Sequence, residues 1–280
     1  MKIRRVTLAI AAAAVAGLAV PATAMASSAD DATGLSHDGT RLVRFDTDKP
    51  GKAKRAKAIR GLVGDTALVG VDRRVQNGKL YGVGNQGGLY TLSTGSGRAT
   101  SVGELSVELA GTSFGVDFNP VANALRIVSD TGQNLRQPFG EGAGTTAATV
   151  TDGALAYATP TGPVAATGVG GAAYTNNDLA AATATTLFVL DTVQDQVAIQ
   201  SPANAGSLAA TGKLGVDAGA QVGFDIFSDL RSGRTESVEG YATLTVGGRT
   251  SLYTVDLLTG DVDKVGSLPS RVTDLAVDLD

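Results

Sequence analysis

Gly70-Val71-Asp72, Gly115-Val116-Asp117, Gly171-Ala172-Ala173, Gly223-Phe224-Asp225 and Ala276-Val277-Asp278 read as five copies of one element. Each is a small residue, an apolar residue and an aspartate, with Ala173 replacing the acid in the third copy. The copies lie 45, 56, 52 and 53 residues apart. Periods of about 40 to 50 residues are the size of one four-stranded propeller blade. The first copy is followed by Leu80-Tyr81-Gly82-Val83 and Leu89-Tyr90-Thr91-Leu92, the fourth by Tyr241-Ala242-Thr243-Leu244 and Leu252-Tyr253-Thr254-Val255. Turns at Asn85 to Gly88 and at Gly247-Gly248 join these strands, as glycine joins the arms of β-hairpins. No window after the N-terminal apolar run keeps helical apolar spacing over three turns, so the fold class is all-β.

The two ends of the chain complement each other. Asp274-Leu275-Ala276-Val277-Asp278 reads as a first strand with nothing after it, whereas Arg41-Leu42-Val43-Arg44-Phe45-Asp46 and Ala58-Ile59-Arg60-Gly61-Leu62 read as third and fourth strands with no first strand before them. Joined, they make one blade and close the ring without a free sheet edge. The expectation is a single β-propeller domain over 41–280, of five blades, with N- and C-terminal strands sharing one. Six blades remain the alternative if the long segment from Gln137 to Gly170 hides another.

Upstream, Lys2, Arg4 and Arg5 precede an apolar run from Val6 to Val20, then Pro21 and Ala22-Thr23-Ala24-Met25-Ala26. Charged start, apolar stretch and A-x-A pattern are the parts of a secretory signal peptide, read as 1–26, with 27–40 as a lead-in. The run is shorter than the roughly 20 apolar residues of a spanning helix, so no membrane span is expected. Removing the signal takes away three of 23 basic residues, leaving 20 against 27 acidic ones, a net charge of −7. That balance excludes nucleic acid as a partner. The chain holds no Cys, no Trp and only one histidine, His37, which removes thiol nucleophiles and multi-histidine zinc sites. One basic cluster, Lys49, Lys52, Lys54, Arg55, Lys57 and Arg60, reads as a solvated turn.

Residues 41–280 also resemble the domain-of-unknown-function 4394 family of exported bacterial proteins. The resemblance rests on Arg41 to Asp46, on the run from Leu80 to Leu92, on Phe118-Asn119-Pro120 with Leu125 to Ser129, on Thr131 to Arg136, and on Ala173-Tyr174-Thr175-Asn176. It implies a propeller-like exported domain and brings no assigned reaction and no catalytic residues.

Three short motifs imitate chemistry. Gly82-Val83-Gly84-Asn85-Gln86-Gly87 matches the dinucleotide fingerprint, but a strand follows where a helix must receive the pyrophosphate. Gly111-Thr112-Ser113-Phe114-Gly115 matches a nucleophile elbow, yet His37 precedes Ser113 and no helix follows. Thr211-Gly212-Lys213 lacks the rest of a phosphate loop.

Two sets of polar residues remain. The repeated acids Asp72, Asp117, Asp225 and Asp278 would form a ring near the axis; they either hold Ca²⁺, which takes oxygen ligands, or cap turns by accepting backbone N–H bonds. Asn119, Arg126, Gln133, Asn134 and Arg136 of the second unit, with Tyr174 and Asn176 of the third, break the repeat and read as a ligand grip or as ties for the irregular segment after Gln137. The function expected is a secreted, monomeric, non-catalytic binding or scaffold module for a small molecule, glycan or protein. The alternative is a metal-assisted or carboxylate-dependent hydrolase of sugars or lactones.

Overall fold

A computed structural model describes residues 31–180 and 182–280; the expected signal peptide lies outside the described residues. The described chain begins in what becomes blade 5, with β1 (Asp31–Ser36), β2 (Arg41–Asp46) and β3 (Lys57–Ala58). Blade 1 is β4 (Leu68–Arg74), β5 (Lys79–Gly84), β6 (Gly88–Leu92) and β7 (Ala99–Glu104). Blade 2 is β8 (Phe114–Asn119), β9 (Ala124–Ser129), β10 (Asn134–Pro138) and β11 (Val150–Thr151). Two short strands, β12 (Ala156–Tyr157) and β13 (Val164–Ala165), precede the blade 3 strands β14 (Val169–Tyr174), β15 (Leu187–Asp191), β16 (Gln196–Gln200) and β17 (Ser207–Lys213). Blade 4 is β18 (Gly223–Arg231), β19 (Arg234–Val246), β20 (Arg249–Val255) and β21 (Val262–Ser267), and β22 (Val272–Val277) ends the chain. The only helical elements among the described residues are single 3-10 turns at Pro50–Lys52 and Ala203–Ala205. None is long and apolar enough to cross a membrane.

The five-bladed propeller is closed as its ends require. The fifth sheet runs β22-β1-β2-β3, so the last strand of the chain is its innermost. Ala32 faces Val277 and Gly34 faces Leu275 on one side of β1, and Ala32 faces Phe45 on the other. β1 falls within the segment taken as a lead-in; Ala32, Thr33 and Gly34 give it no alternating apolar pattern. The long segment after Gln137 forms no sixth blade. It supplies β11 to blade 2, and β12 pairs in parallel with β17 (Ala156 opposite Ser207), making blade 3 six-stranded. The basic cluster is exposed: Lys49, Lys52, Lys54 and Arg55 lie in the connection between β2 and β3, Lys57 in β3 and Arg60 just after it.

Each junction between blades has its own apolar core. Leu35 and Leu42 of blade 5 pack with Val71, Leu80 and Tyr90 of blade 1. Tyr81 and Val83 meet Phe118, Ile127 and Leu135, Val128 meets Val169, Leu187 and Val189, Phe188 and Leu190 meet Phe224 and Leu244, and Tyr241 and Leu252 meet Val43, Phe45 and Leu275. Burying each such side chain stabilises the ring by about 1.5 to 3 kcal/mol. Charge also lies inside this packing. Arg74, fully buried between blades 1 and 2, donates to Asn123 Oδ1 at 2.8 Å, to the Gly142 carbonyl at 2.5 Å and to the Gly140 carbonyl. Its guanidinium carbon also sits 5.2 Å from the centroid of Phe139. Carbonyl oxygens and ring faces thus replace the water this cation gives up.

Closure makes the C-terminal strand indispensable. A chain ending at Arg271 loses β22 and uncovers the blade 4–blade 5 core, so it is expected to lose its cooperative thermal transition in circular dichroism. A chain lacking only Leu279 and Asp280 should keep that transition. Cooperative melting of the shorter chain would refute the closed ring.

Candidate functional site

An innermost strand has a neighbour on one side only, so its other edge turns buried backbone groups toward the axis. Here carboxyl groups meet those donors across the junctions. Asp72 Oδ2 accepts the Phe118 N–H at 2.7 Å, Asp117 Oδ1 the Tyr174 N–H at 3.0 Å, Asp225 Oδ2 the Val277 N–H at 2.6 Å and Asp274 Oδ2 the Val71 N–H at 2.7 Å. The one junction without such a bond is that from blade 3 to blade 4, where Ala173 has no acceptor. There the Ile226 N–H turns to Asp225 Oδ1 at 2.6 Å. The aspartates therefore tie four of the five junctions from blade to blade, where the sequence reading left them as Ca²⁺ ligands or turn caps.

This pattern also corrects the register of the fifth copy. Phe118 follows Asp117 and Tyr174 follows Ala173, so Val277, which plays the same part, must follow the counterpart of Asp117. That counterpart is Ala276, and the repeat reads Asp274-Leu275-Ala276. A two-residue shift along a strand returns a side chain to the same face, so alternation alone did not distinguish the two registers. Asp278 lies outside the axial group, paired with Arg73 at 2.5 Å and with Arg44 at 3.6 Å. Asp274 takes the position that Gly70, Gly115, Gly171 and Gly223 hold elsewhere.

One carboxyl oxygen from each of Asp72, Asp117 and Asp225 lies within 4.8 Å of the other two, and all three residues are buried. That spacing suits the span of a Ca²⁺ sphere, but three oxygens are at most half of the six to eight that Ca²⁺ takes. A proton is the simpler neutraliser. Burial, reinforced by the neighbouring Asp225, pushes Asp72 well above the usual carboxyl range. Burial with Asp72 and Asp225 nearby does the same to Asp117, and burial raises Asp274 likewise. Burial lifts Asp225 to about 6, while the Val277 and Ile226 N–H groups oppose the rise.

Of the residues that break the repeat, four share one network and three are dispersed. Arg126, Asn134 and Tyr174 come together between blades 2 and 3. Arg126, 2% exposed, donates to Asn134 Oδ1, Asp152 Oδ2 and Asn204 Oδ1, each at 2.7 Å, and to the Tyr174 hydroxyl at 3.3 Å. Arg136 donates to the same Asp152 at 3.1 Å. Burial raises Asp152, but hydrogen bonds from Arg136 and Arg126 outweigh it and hold this carboxyl below its usual range. Gln133 bonds the Glu108 carbonyl and the Ala110 N–H. Asn119 caps its own turn through Val121 and Ala122, and Asn176 bonds the Ala184 carbonyl. The bonds of Arg126 and Arg136 to Asp152, with the one Asn134 Nδ2 donates to the Gly153 carbonyl at 2.9 Å, anchor the segment after Gln137. Asp152, which the sequence reading passed over, is the acid both arginines share.

A groove of 640 Å³ opens between blades 3 and 4, at the end where β18 and β19 run past the rest of their sheet. Phe188, Val255 and Leu257 line it below, and Glu239, Asp256, Asp261 and Asp263 line it at the exposed edge. Among the described residues none of these four acids pairs with a cation. The groove was not legible in the sequence, because its walls come from separate blades.

The axial acids set a pH dependence. Each binds its proton more tightly folded than unfolded, so above the ordinary value of 3.8 the folded chain carries more protons and stability falls as pH rises. Asp152 and Asp178, held low, are ionised in both states above about pH 5 and add no slope there. The urea midpoint is therefore expected to drop between pH 5 and pH 8. Asp117→Asn keeps an acceptor for Tyr174 and should flatten the slope. Asp117→Ala should cost about 1 to 3 kcal/mol at pH 5, where only the hydrogen bond is lost. Equal losses in both variants with an unchanged slope would contradict this account, and a Ca²⁺-dependent loss would make these acids metal ligands.

No curated protein matches the sequence. Solved structures with related chain paths include a protein of unknown function from Bacteroides thetaiotaomicron, 14% identical with a TM-score of 0.44 over 91% of this chain and 66% of that one. An auxiliary nutrient binding protein from Bacteroides ovatus is 12% identical, with a TM-score of 0.41 over 83% and 57%. PorZ, a surface component of the type-IX secretion system of Porphyromonas gingivalis, is 16% identical, with a TM-score of 0.37 over 86% and 29%. The chain thus spans less than two thirds of each of these proteins. The family model described as a domain of unknown function, DUF4394, matches residues 41–276, and the chain belongs to that family.

Proposed function

We propose that this chain is an exported, non-catalytic binding module whose ligand seats in the groove between blades 3 and 4. The observation that carries the reading is the groove itself, which sets four exposed acids around apolar walls, with Leu258 73% exposed among them. Concave apolar surface with a few convergent polar groups is the usual form of a binding site. Export rests on the charged start, apolar run and A-x-A pattern of residues 1–26. The convergent carboxyl groups that a hydrolase would need, Asp72, Asp117 and Asp225, are 5%, 2% and 3% exposed, which favours binding over catalysis.

Two measurements test the reading. The chain recovered outside the cell should begin after Ala24 or Ala26 by N-terminal sequencing; recovery of an intact Met1 form in the cytoplasm alone would end the export claim. A thermal-shift screen against peptides, glycans and ions should give hits, and a ligand at 100 times its Kd adds about 2.7 kcal/mol. Leu258→Arg, at an exposed position, should abolish those hits without lowering the melting temperature of the free chain. Hits indifferent to Leu258→Arg would locate binding elsewhere.

A further inference from the structure

Resting on that groove as the binding site, we infer that its occupant is an extended, cationic peptide segment that adds a short strand to the open edge of β19. The Gly247-Gly248 turn has positive φ at both residues, 57° and 78°, and joins Val246 to Arg249 in a two-residue hairpin loop. Such a loop makes its flanking residues a hydrogen-bonded pair. Every second residue back along β19 then also bonds across to β20, through Leu244 and Ala242 to Gly240 opposite Val255. β20 stops there, while β19 continues against β18 as far as Arg234 opposite Arg231. Val238 is next in the alternation, so its N–H and C=O face the space that β20 has vacated. Val238 also lines the groove and is 38% exposed.

An unpaired strand edge beside a cleft is the receptor for strand addition, where backbone bonds give affinity and alternate side chains give specificity. The charge of the groove selects the strand. Asp256, Asp261 and Asp263 beside Glu239 leave negative charge uncompensated, and apolar surface lies beneath it. A segment alternating basic and apolar residues satisfies both at once, since successive side chains of a strand point to opposite faces. An acidic segment meets like charge.

The probe is a fluorescein-labelled eight-residue peptide alternating Lys and Val, with a Glu–Val peptide as counterpart, read by fluorescence anisotropy. The Lys–Val peptide is expected to bind, more weakly as salt rises, and the Glu–Val peptide not to bind. The double variant Asp261→Asn, Asp263→Asn and the variant Val238→Pro should each weaken binding by about tenfold or more. Proline is tolerated where the N–H it removes faces outward, so Val238→Pro should fold. Should it not, hydrogen exchange at the Val238 amide of the unaltered chain gives the same information, and the peptide should slow it. Binding with no effect at Val238 by either route overturns strand addition. A peptide that fails to bind, while other hits are still lost in Leu258→Arg, overturns the peptide and leaves the groove standing. Peptide binding indifferent to Leu258→Arg and to both acid substitutions overturns the groove as well.

Discussion

The ring depends on how the inner edges of its blades are satisfied. A buried N–H without an acceptor costs about 1 to 3 kcal/mol, and a propeller places such donors at its axis in every blade. Here the acceptor is a side chain of the neighbouring blade, so each bond both pairs a donor and fixes one blade against the next. The bond from Asp225 to Val277 does this at the joint where the chain ends meet. It holds the C-terminal strand from the side opposite to β1. The use of acids has an electrostatic cost, because Asp72, Asp117, Asp225 and Asp274 crowd one region of low dielectric, and Arg73 near Asp225 offsets burial there only in part. Protons carry that charge at low pH, which is why burial dominates the behaviour of all four.

The same crowding closes the axis. A methyl group added at Gly70 would collide with Val116 and approach the Asp274 carboxyl, and one added at Gly115 would collide with Ala172 of blade 3. The small residue of the repeat is thus what lets inner strands touch, and Gly70 in particular leaves room for the acid that blade 5 carries in the glycine position. With the inner strands packed together, the central acids have little access to solvent. Accessible chemistry is left to the junctions, where blades of unequal length leave gaps.

The architecture was largely legible because it repeats. A period near 50 residues, hairpin turns and complementary chain ends led to five blades and to the shared one. What escaped was what alternation cannot encode. A strand of small residues such as Asp31 to Ser36 carries little apolar signal, and a register slip of two preserves the face, so Asp278 stood for Ala276 and Asp274 went unnoticed. The polar residues that break the repeat were found, but their shared partner Asp152 sits in an irregular segment with no pattern to mark it. Arg74 escaped for a similar reason, since its partners are carbonyls of Gly140 and Gly142, which leave no trace in side-chain identity.

The overlong hairpin of blade 4 is the feature that the logic of the ring does not require. β18 and β19 span nine and 13 residues, against five to seven for the three inner strands of blades 1 and 2, and the ends beyond Gly240 add little to any core. Exposed edges invite pairing with other chains, and lysine or proline commonly blunts them. This edge has neither between Thr235 and Glu239; it carries Glu236 and Glu239 instead. Glu236 pairs with Arg231 at 3.3 Å, whereas among the described residues Glu239 pairs with no cation, so the charge beside Val238 is that of Glu239. In the proposed reading this edge and the acidic, apolar-walled groove beside it select the occupant, a task separate from the ring's stability.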